Sequence, residues 1–176
     1  FQFASDLAGA TPSAFLIKNQ SGQNVFSLDS SGNTKIAGAL TTQTGAFDIA
    51  EDYKVTDETI EAGDVVAIAS GETIQKSVAP YQSDVLGIIS TKPAIRLSEQ
   101  NSPNTRPVAL TGRVPVKVTA ENGPIAPGDY LTSSTTPGVA MKATRPGQVV
   151  GKALESYSNA GIGKIMVFVT ISFADP

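Results

Sequence analysis

The chain has 176 residues, of which 40% are hydrophobic and 16% charged, and these values suit one folded domain with an appendage rather than two full domains. It contains neither cysteine nor histidine, which excludes disulfides, thiolate chemistry and the imidazole group that most often shuttles protons or binds transition metals. The net charge is −3 and the 13 Lys and Arg residues are scattered, so the concentrated cationic face of a nucleic-acid-binding protein is missing. No apolar run reaches the roughly 20 residues that a membrane span requires, so we predict no membrane insertion.

The first 47 residues predict a separate strand appendage. Short apolar runs at 14–19, 24–29 and 34–40 are separated by Ser- and Gly-containing turns, which is the pattern of a β-meander. Three short strands cannot cover their own apolar face, so we expect this segment to pack against neighbouring copies of the chain. The residues predicted to make these subunit contacts are Phe1, Phe3, Phe15, Ile17, Val25, Phe26 and Leu28.

From residue 48 onward, short runs rich in β-branched residues alternate with Gly, Pro and Asn turns, and no amphipathic helix of useful length is evident. The predicted strands are 65–69, 73–78, 84–89, 108–110, 114–119, 130–133, 139–142, 149–154 and 164–173. We therefore predict an all-β protein, with an N-terminal β-meander or extended appendage (1–47) and a β-barrel- or sandwich-like body (48–176).

The body contains a degenerate internal repeat. The heptapeptide Ile60-Glu-Ala-Gly-Asp-Val-Val66 returns 65 residues later as Ile125-Ala-Pro-Gly-Asp-Tyr-Leu131, and the sequences flanking the two copies also correspond. The repeat predicts two related β-units, near 53–97 and 107–156. The copied residues form turns and cores, and they include no set of nucleophile, base or metal ligands.

Two segments carry a resemblance to known families. Residues 24–40, NVFSLDSSGNTKIAGAL, resemble the repeating shaft of phage tail fibres and bacterial surface fibres, in which such segments trimerise into β-structured stems. Residues 107–134 and 147–155 resemble a C-terminal β-domain of bacterial surface-fibre and phage tail-fibre proteins, most sharply in Gly-Arg-Val-Pro-Val-Lys-Val, and are distantly similar to the autoprocessing chaperone domain of tailspikes. This resemblance implies a β-rich cap or stem on a fibre.

Three kinds of side chain could in principle carry chemistry. Ser133, Ser134 and Ser156 lie in or near segments that match the self-cleaving chaperones, but without histidine their base would have to be a Lys or a carboxylate. Lys117 and Lys164 lie in predicted strands, and Lys54 precedes the first copy of the repeat as Lys117 precedes the second; one of these lysines could form an isopeptide bond with an Asn or Asp. The acidic segment 48–64 offers oxygen ligands, but its spacing matches no calcium loop. We favour turn hydroxyls, solvated lysines and an acidic surface, and predict no catalytic residue, metal site or cofactor.

The predicted function is that of a non-enzymatic structural subunit of an extracellular filament or fibre-like appendage, assembled by strand packing between chains. Its partners would be copies of itself, in a filament or trimer, together with a possible host or surface receptor. The chain begins at Phe1 without an initiator methionine, which we interpret as a processed or partial chain at the cell surface or on a virion. A self-cleaving maturation domain and a carbohydrate-binding fibre tip are the alternatives, although the absence of tryptophan leaves sugar stacking poorly supplied.

Overall fold

The structure, a computed structural model, describes residues 13–41, 45, 47–98 and 104–176. The chain divides into two compact units, Phe1–Gln43 and Thr44–Pro176. Every regular element among the described residues is a β-strand, which confirms the predicted all-β class.

The first unit contains a three-stranded antiparallel meander. Its strands, in sheet order, are β1 (Ser13–Lys18), β2 (Asn24–Asp29) and β3 (Thr34–Ile36). Polar side chains organise both turns, because Asn19 Oδ1 accepts the Gln23 N–H at 2.9 Å and Asp29 Oδ1 accepts the Asn33 N–H, also at 2.9 Å. Asn and Asp are common in turns because their side chains bond nearby backbone amides in this way.

The second unit contains ten strands that pair into one continuous sheet. They are β4 (Asp48–Val55), β5 (Val65–Ser70), β6 (Thr73–Lys76), β7 (Val85–Ile89), β8 (Ile95–Leu97), β9 (Thr105–Thr119), β10 (Tyr130–Ser133), β11 (Ala140–Lys142), β12 (Gly147–Ala153) and β13 (Ile162–Ala174).

The pairings close this sheet twice, giving two five-stranded barrels. In the first barrel the order around the ring is β4, β6, β5, β7 and the first half of β9, which returns to β4. In the second barrel it is the second half of β9, then β11, β10, β12 and β13, which returns to β9. The two rings have the same strand connectivity, with one parallel and four antiparallel pairings each. Strand β8 pairs with β4 and lies outside the first ring.

Strand β9 belongs to both barrels, and the sequence did not reveal this. Two separate strands were predicted at 108–110 and 114–119, and that prediction was wrong because Thr111, Gly112 and Arg113 continue one strand. Strands β4 and β8 were also missing from the predicted set. Strand β4 does not show the usual alternation of apolar and polar residues, because its buried side includes the acidic Asp48 beside Ala50 while Ile49 is exposed.

Each barrel is filled by one side chain or more from each of its strands. In the first barrel, one cluster joins six side chains that are 7% exposed or less: Val55, Ile60, Val66, Ile74, Ile89 and Val108. Corresponding positions of the second barrel are also buried: Val118, Ile125, Leu131, Ala140, Ala153 and Val167. Burial of a large aliphatic side chain contributes about 1.5–3 kcal/mol, so these two sets account for much of the stability of the body.

The two copies of the Gly-Asp motif adopt the same local structure. Gly63 and Gly128 both have φ of 92°, in the left-handed region that favours glycine. The carboxylate of Asp64 accepts the Glu61 N–H at 2.9 Å, and that of Asp129 accepts the Ala126 N–H at 2.8 Å. The repeated motif is therefore a turn closed by its own aspartate ahead of the second strand of each barrel.

Gly112 allows β9 to pass from one barrel to the other. Its φ is +115°, and a Cβ atom at this position would overlap the Phe47 carbonyl oxygen and the Cα atom of Asp48. The backbone of β4 can approach β9 this closely only where no side chain intervenes.

Gly112→Ala is expected to destabilise the body strongly, because it adds a steric clash to the cost of about 1–3 kcal/mol for an unfavourable backbone conformation. Urea unfolding of the parent chain and of Gly112→Ala measures the difference in their free energies of unfolding. The matched control is Gly123→Ala, since Gly123 also has a positive φ, +96°, but has open space at its Cβ position. Equal losses in the two variants would contradict a role for close packing at Gly112.

Candidate subunit interface

One face of the meander is a continuous apolar surface. Ile17 on β1 lies opposite Phe26 on β2, which lies opposite Ile36 on β3, while Phe15 lies opposite Leu28. Directly opposed residues of an antiparallel pair share one face of the sheet. The Phe15 and Phe26 rings meet edge to face, with centroids 5.7 Å apart. We call these five side chains the meander face.

The meander face has little cover. No residue from 15 to 41 is buried, and Ile17 and Ile36 are 40% and 44% exposed. Within the described part of this unit, the sheet presents five large apolar side chains and buries none of them, whereas a stable small sheet normally covers such a face. This exposure is the observation from which a subunit interface is inferred.

Four of the seven predicted contact residues lie together on this face. Val25 follows the alternation of β2 and lies on the opposite side, whereas Phe1 and Phe3 fall outside the described residues. Ile36 was missed. The alternation Thr34-Lys35-Ile36 could have indicated it, since it places the isoleucine opposite Phe26.

A second surface runs across the outside of the second barrel. Tyr130 lies opposite Lys152, Lys152 opposite Phe168, and Phe168 opposite Arg113. The Arg113 guanidinium is 4.1 Å from the ring centroid of Phe47, and the Lys152 ammonium is 4.5 Å from that of Tyr130. We call these five side chains the cation–aromatic row.

Two of the three candidate serines are buried and hydrogen-bonded. Ser133 is fully buried; its hydroxyl donates to the Ala79 carbonyl at 2.8 Å and accepts the Gln82 N–H at 2.9 Å. Ser134 is also buried, and its hydroxyl bonds within its own turn. Ser156 is exposed. The hydrogen bonds of Ser133 and Ser134 are the ordinary roles of hydroxyls that stabilise turns and connections.

Among the candidate lysines, Lys117 has the most enclosed position. Its ammonium contacts Asp64, which is 1% exposed, and Glu61, in both cases at 2.5 Å. Burial alone would lower the pKa of Lys117, but the hydrogen bonds and charges of the two carboxylates raise it. The amine is therefore held as a cation, which is the form that cannot attack a carboxyl carbon. Lys54 pairs with Glu72 on the surface, and Lys164 donates to the Ala62 carbonyl.

The acidic segment does not converge on one point. Asp52 pairs with Arg96 at 2.8 Å; burial would raise the pKa of Asp52, but hydrogen bonds from Arg96 and Ser98 lower it. Asp48 is buried at the start of β4. Within the described ranges, no three Asp or Glu side chains are grouped as metal ligands. The same ranges contain no helix with the length and apolarity to cross a bilayer.

Two solved structures share the fold. The pre-mature bacteriophage phi29 gene product 12 matches with a TM-score of 0.65 and 18% identity, covering 84% of this chain and 24% of the phage chain. The C-terminal fragment of the same gene product matches with a TM-score of 0.53 and 17% identity, covering 70% of this chain and all of the fragment (100%). No protein-family model and no curated protein sequence matches the chain.

These comparisons establish a shared fold. The chain spans about a quarter (24%) of the length of the pre-mature protein that it matches. The resemblance noted from the sequence is thus supported in its coarse form, since the fold is found in part of a bacteriophage protein and in a C-terminal fragment of it.

Asp64→Asn is expected to cost about 3 kcal/mol of unfolding free energy, because it leaves the enclosed Lys117 without its buried counter-charge. The equivalent change in the second barrel, Asp129→Asn, is the matched control. Asp129 is 23% exposed and pairs with Lys142, itself 32% exposed, so its loss should cost about 1 kcal/mol or less. Chemical denaturation of both variants tests this difference, and equal costs would contradict it.

Burial raises the pKa of Asp48, and the Ser90 side chain offsets only part of this effect. An acid whose pKa is raised by folding stabilises the folded state below that pKa, and this contribution is lost as the pH rises through it. As the pH is raised from about 4, the ordinary pKa of an aspartate, Asp48→Asn should therefore gain stability relative to the parent chain. Thermal unfolding as a function of pH provides the measurement.

Asp57 supplies a control of opposite sign. The Thr59 hydrogen bonds lower the pKa of this exposed carboxylate, so its contribution is present at neutral pH and disappears on acidification. Asp57→Asn should consequently lose stability relative to the parent as the pH rises. If Asp48→Asn and the parent chain had parallel pH profiles, the assignment of the raised pKa would be wrong.

Proposed function

We propose that this chain is a non-enzymatic structural segment of a fibre-like phage appendage, and that it assembles with copies of itself through the meander face. The observation that carries the proposal is the apolar row Ile17, Phe26 and Ile36, in which both isoleucines are exposed and the phenylalanine is half-buried, on a sheet that buries none of its described side chains. Packing two or three such faces together removes this surface from water and completes their cores.

The fold likeness supports the phage context of this proposal. One matched structure is a bacteriophage gene product and the other is a fragment of it, and a virion-associated location outside the cell follows from that analogy. The likeness alone does not assign a function, since one fold serves many functions. The meander face supplies the independent physical argument, because it predicts association whatever the source of the protein.

A self-cleaving maturation domain is the second candidate. It is favoured by the names of the two matched structures, of which one is the pre-mature protein and the other a C-terminal fragment of it. Denaturing electrophoresis and intact-mass measurement of the freshly synthesised full-length precursor test it. Time-dependent conversion into two defined pieces in purified material would support cleavage, and a chain that stays whole would reject it.

Ile17→Thr combined with Ile36→Thr is expected to weaken self-association by about 100-fold or more, because two aliphatic side chains lose most of their burial energy. Threonine is β-branched and keeps the strand propensity of isoleucine, so the sheet itself should persist. Sedimentation velocity over a concentration series measures the change.

The matched control is Val25→Thr, which places the same chemical change on the opposite side of β2 from Phe26. It should leave the association constant within a factor of about three. A parent chain that sediments as a monomer at all concentrations, or a control that weakens assembly as much as the double variant, would reject the meander face as the interface.

A further inference from the structure

The two barrels carry opposite charge. The described residues of the first barrel, 48–98 and 104–112, contain nine acidic and five basic residues, a net charge of −4, whereas residues 113–176 contain four acidic and six basic residues, a net charge of +2. Such a division within one small body gives it an electrostatic polarity. Complementary fields of this kind orient and stabilise protein association.

The cation–aromatic row carries two of the six basic residues from 113 to 176. Among the described residues, neither Arg113 nor Lys152 forms an ion pair, and each lies over an aromatic ring instead. Phe168 between them is 44% exposed and Phe47 at the end of the row is 53% exposed. Aromatic residues and arginine are the types enriched in protein–protein interfaces.

The first barrel carries a surface of matching character. A cavity of about 320 Å³ opens along β4. Three carboxylates, those of Glu51, Asp52 and Glu72, line it together with Lys54, Tyr53 and Leu97. Asp52 is neutralised by Arg96, and Glu72 has a loose contact with Lys54 at 3.5 Å. Glu51 accepts a hydrogen bond from the Tyr53 hydroxyl, and no ion pair engages it within the described ranges. We call this surface the acidic pocket.

We propose that the cation–aromatic row of one copy docks into the acidic pocket of a second copy. The occupant is identified by charge complementarity, since the chain itself carries an acidic, partly apolar cavity and an uncompensated cationic, aromatic surface. The proposal rests on the proposed function, because it supplies a specific contact for the same self-association. It differs from the meander contact in being electrostatic and therefore sensitive to salt.

The row lies on the second barrel and the pocket on the first, so two arrangements of copies satisfy the contact. Two copies related by a two-fold axis can make it twice, each row meeting the other copy's pocket. Copies arranged head to tail make it once with each of two neighbours, which builds a closed ring or a continuing filament. The head-to-tail arrangement is the one that fits a fibre, in which every subunit meets its neighbours in the same way.

A charge-swap experiment on the full chain tests the contact. The row variant R113E/K152E should repel the acidic pocket, and the pocket variant E51K/E72K should repel the row. Each alone is expected to weaken self-association by about 10-fold or more in low salt. A mixture of the two variants should associate again, because the acidic row of the first then meets the basic pocket of the second.

The quadruple variant R113E/K152E/E51K/E72K is the control for folding and for total charge. It has the net charge of the parent chain and should recover self-association, which shows that the single-surface variants fail because of repulsion. Sedimentation velocity at low and high salt reads out every combination. Full association of R113E/K152E alone, or no recovery in the mixture and in the quadruple variant, would overturn the contact.

The charge-swap variants and the meander variant distinguish the row–pocket contact from the meander interface. If the charge swaps have no effect while Ile17→Thr/Ile36→Thr abolishes assembly, the row–pocket contact is wrong and the meander interface stands. If the charge swaps behave as expected while the meander variant assembles normally, the row–pocket contact stands and the meander interface is rejected.

Discussion

The body depends on the closure of two rings through one strand. A short sheet with free edges exposes unpaired backbone groups, and closing it into a barrel removes those edges while enclosing a core. Here β9 completes the first ring with residues up to Gly112 and begins the second ring from Arg113. The turn at Gly63 and Asp64 then docks against the same strand, where Lys117 donates its backbone N–H to the Gly63 carbonyl. Both cores, the junction between them and the buried ion pair therefore depend on β9.

The sequence predicted the parts whose signals are local. The all-β class, the three meander strands and the Gly-Asp turns follow from short-range patterns, and the repeat indicated two related units. The sharing of β9 could not be predicted, because Thr111-Gly112-Arg113 is typical of a turn and only the approach of β4 explains why a strand continues through it. Likewise, the cation–aromatic row brings together residues from four strands and the segment before β4, so their proximity becomes visible only once the register is known.

The candidate reactive side chains are engaged by other groups of the chain. The serines that most resemble candidate nucleophiles are fixed in hydrogen bonds to the backbone, and the most enclosed lysine is held as a cation by two carboxylates. In contrast, the meander face exposes apolar side chains, and Arg113 and Lys152 of the cation–aromatic row form no ion pair with another described residue. One surface depends on hydrophobic burial and the other on charge, so salt should act on them in opposite directions.

The double use of β9 also has a consequence for how such a body can grow. Strand β13 occupies in the second barrel the place that the first half of β9 occupies in the first, and it is nearly as long, with 13 residues against 15. A chain that continued from β13 through another set of strands could close a third ring by the same rule. The architecture is thus modular in one dimension, and tandem duplication can lengthen it without inventing a new junction.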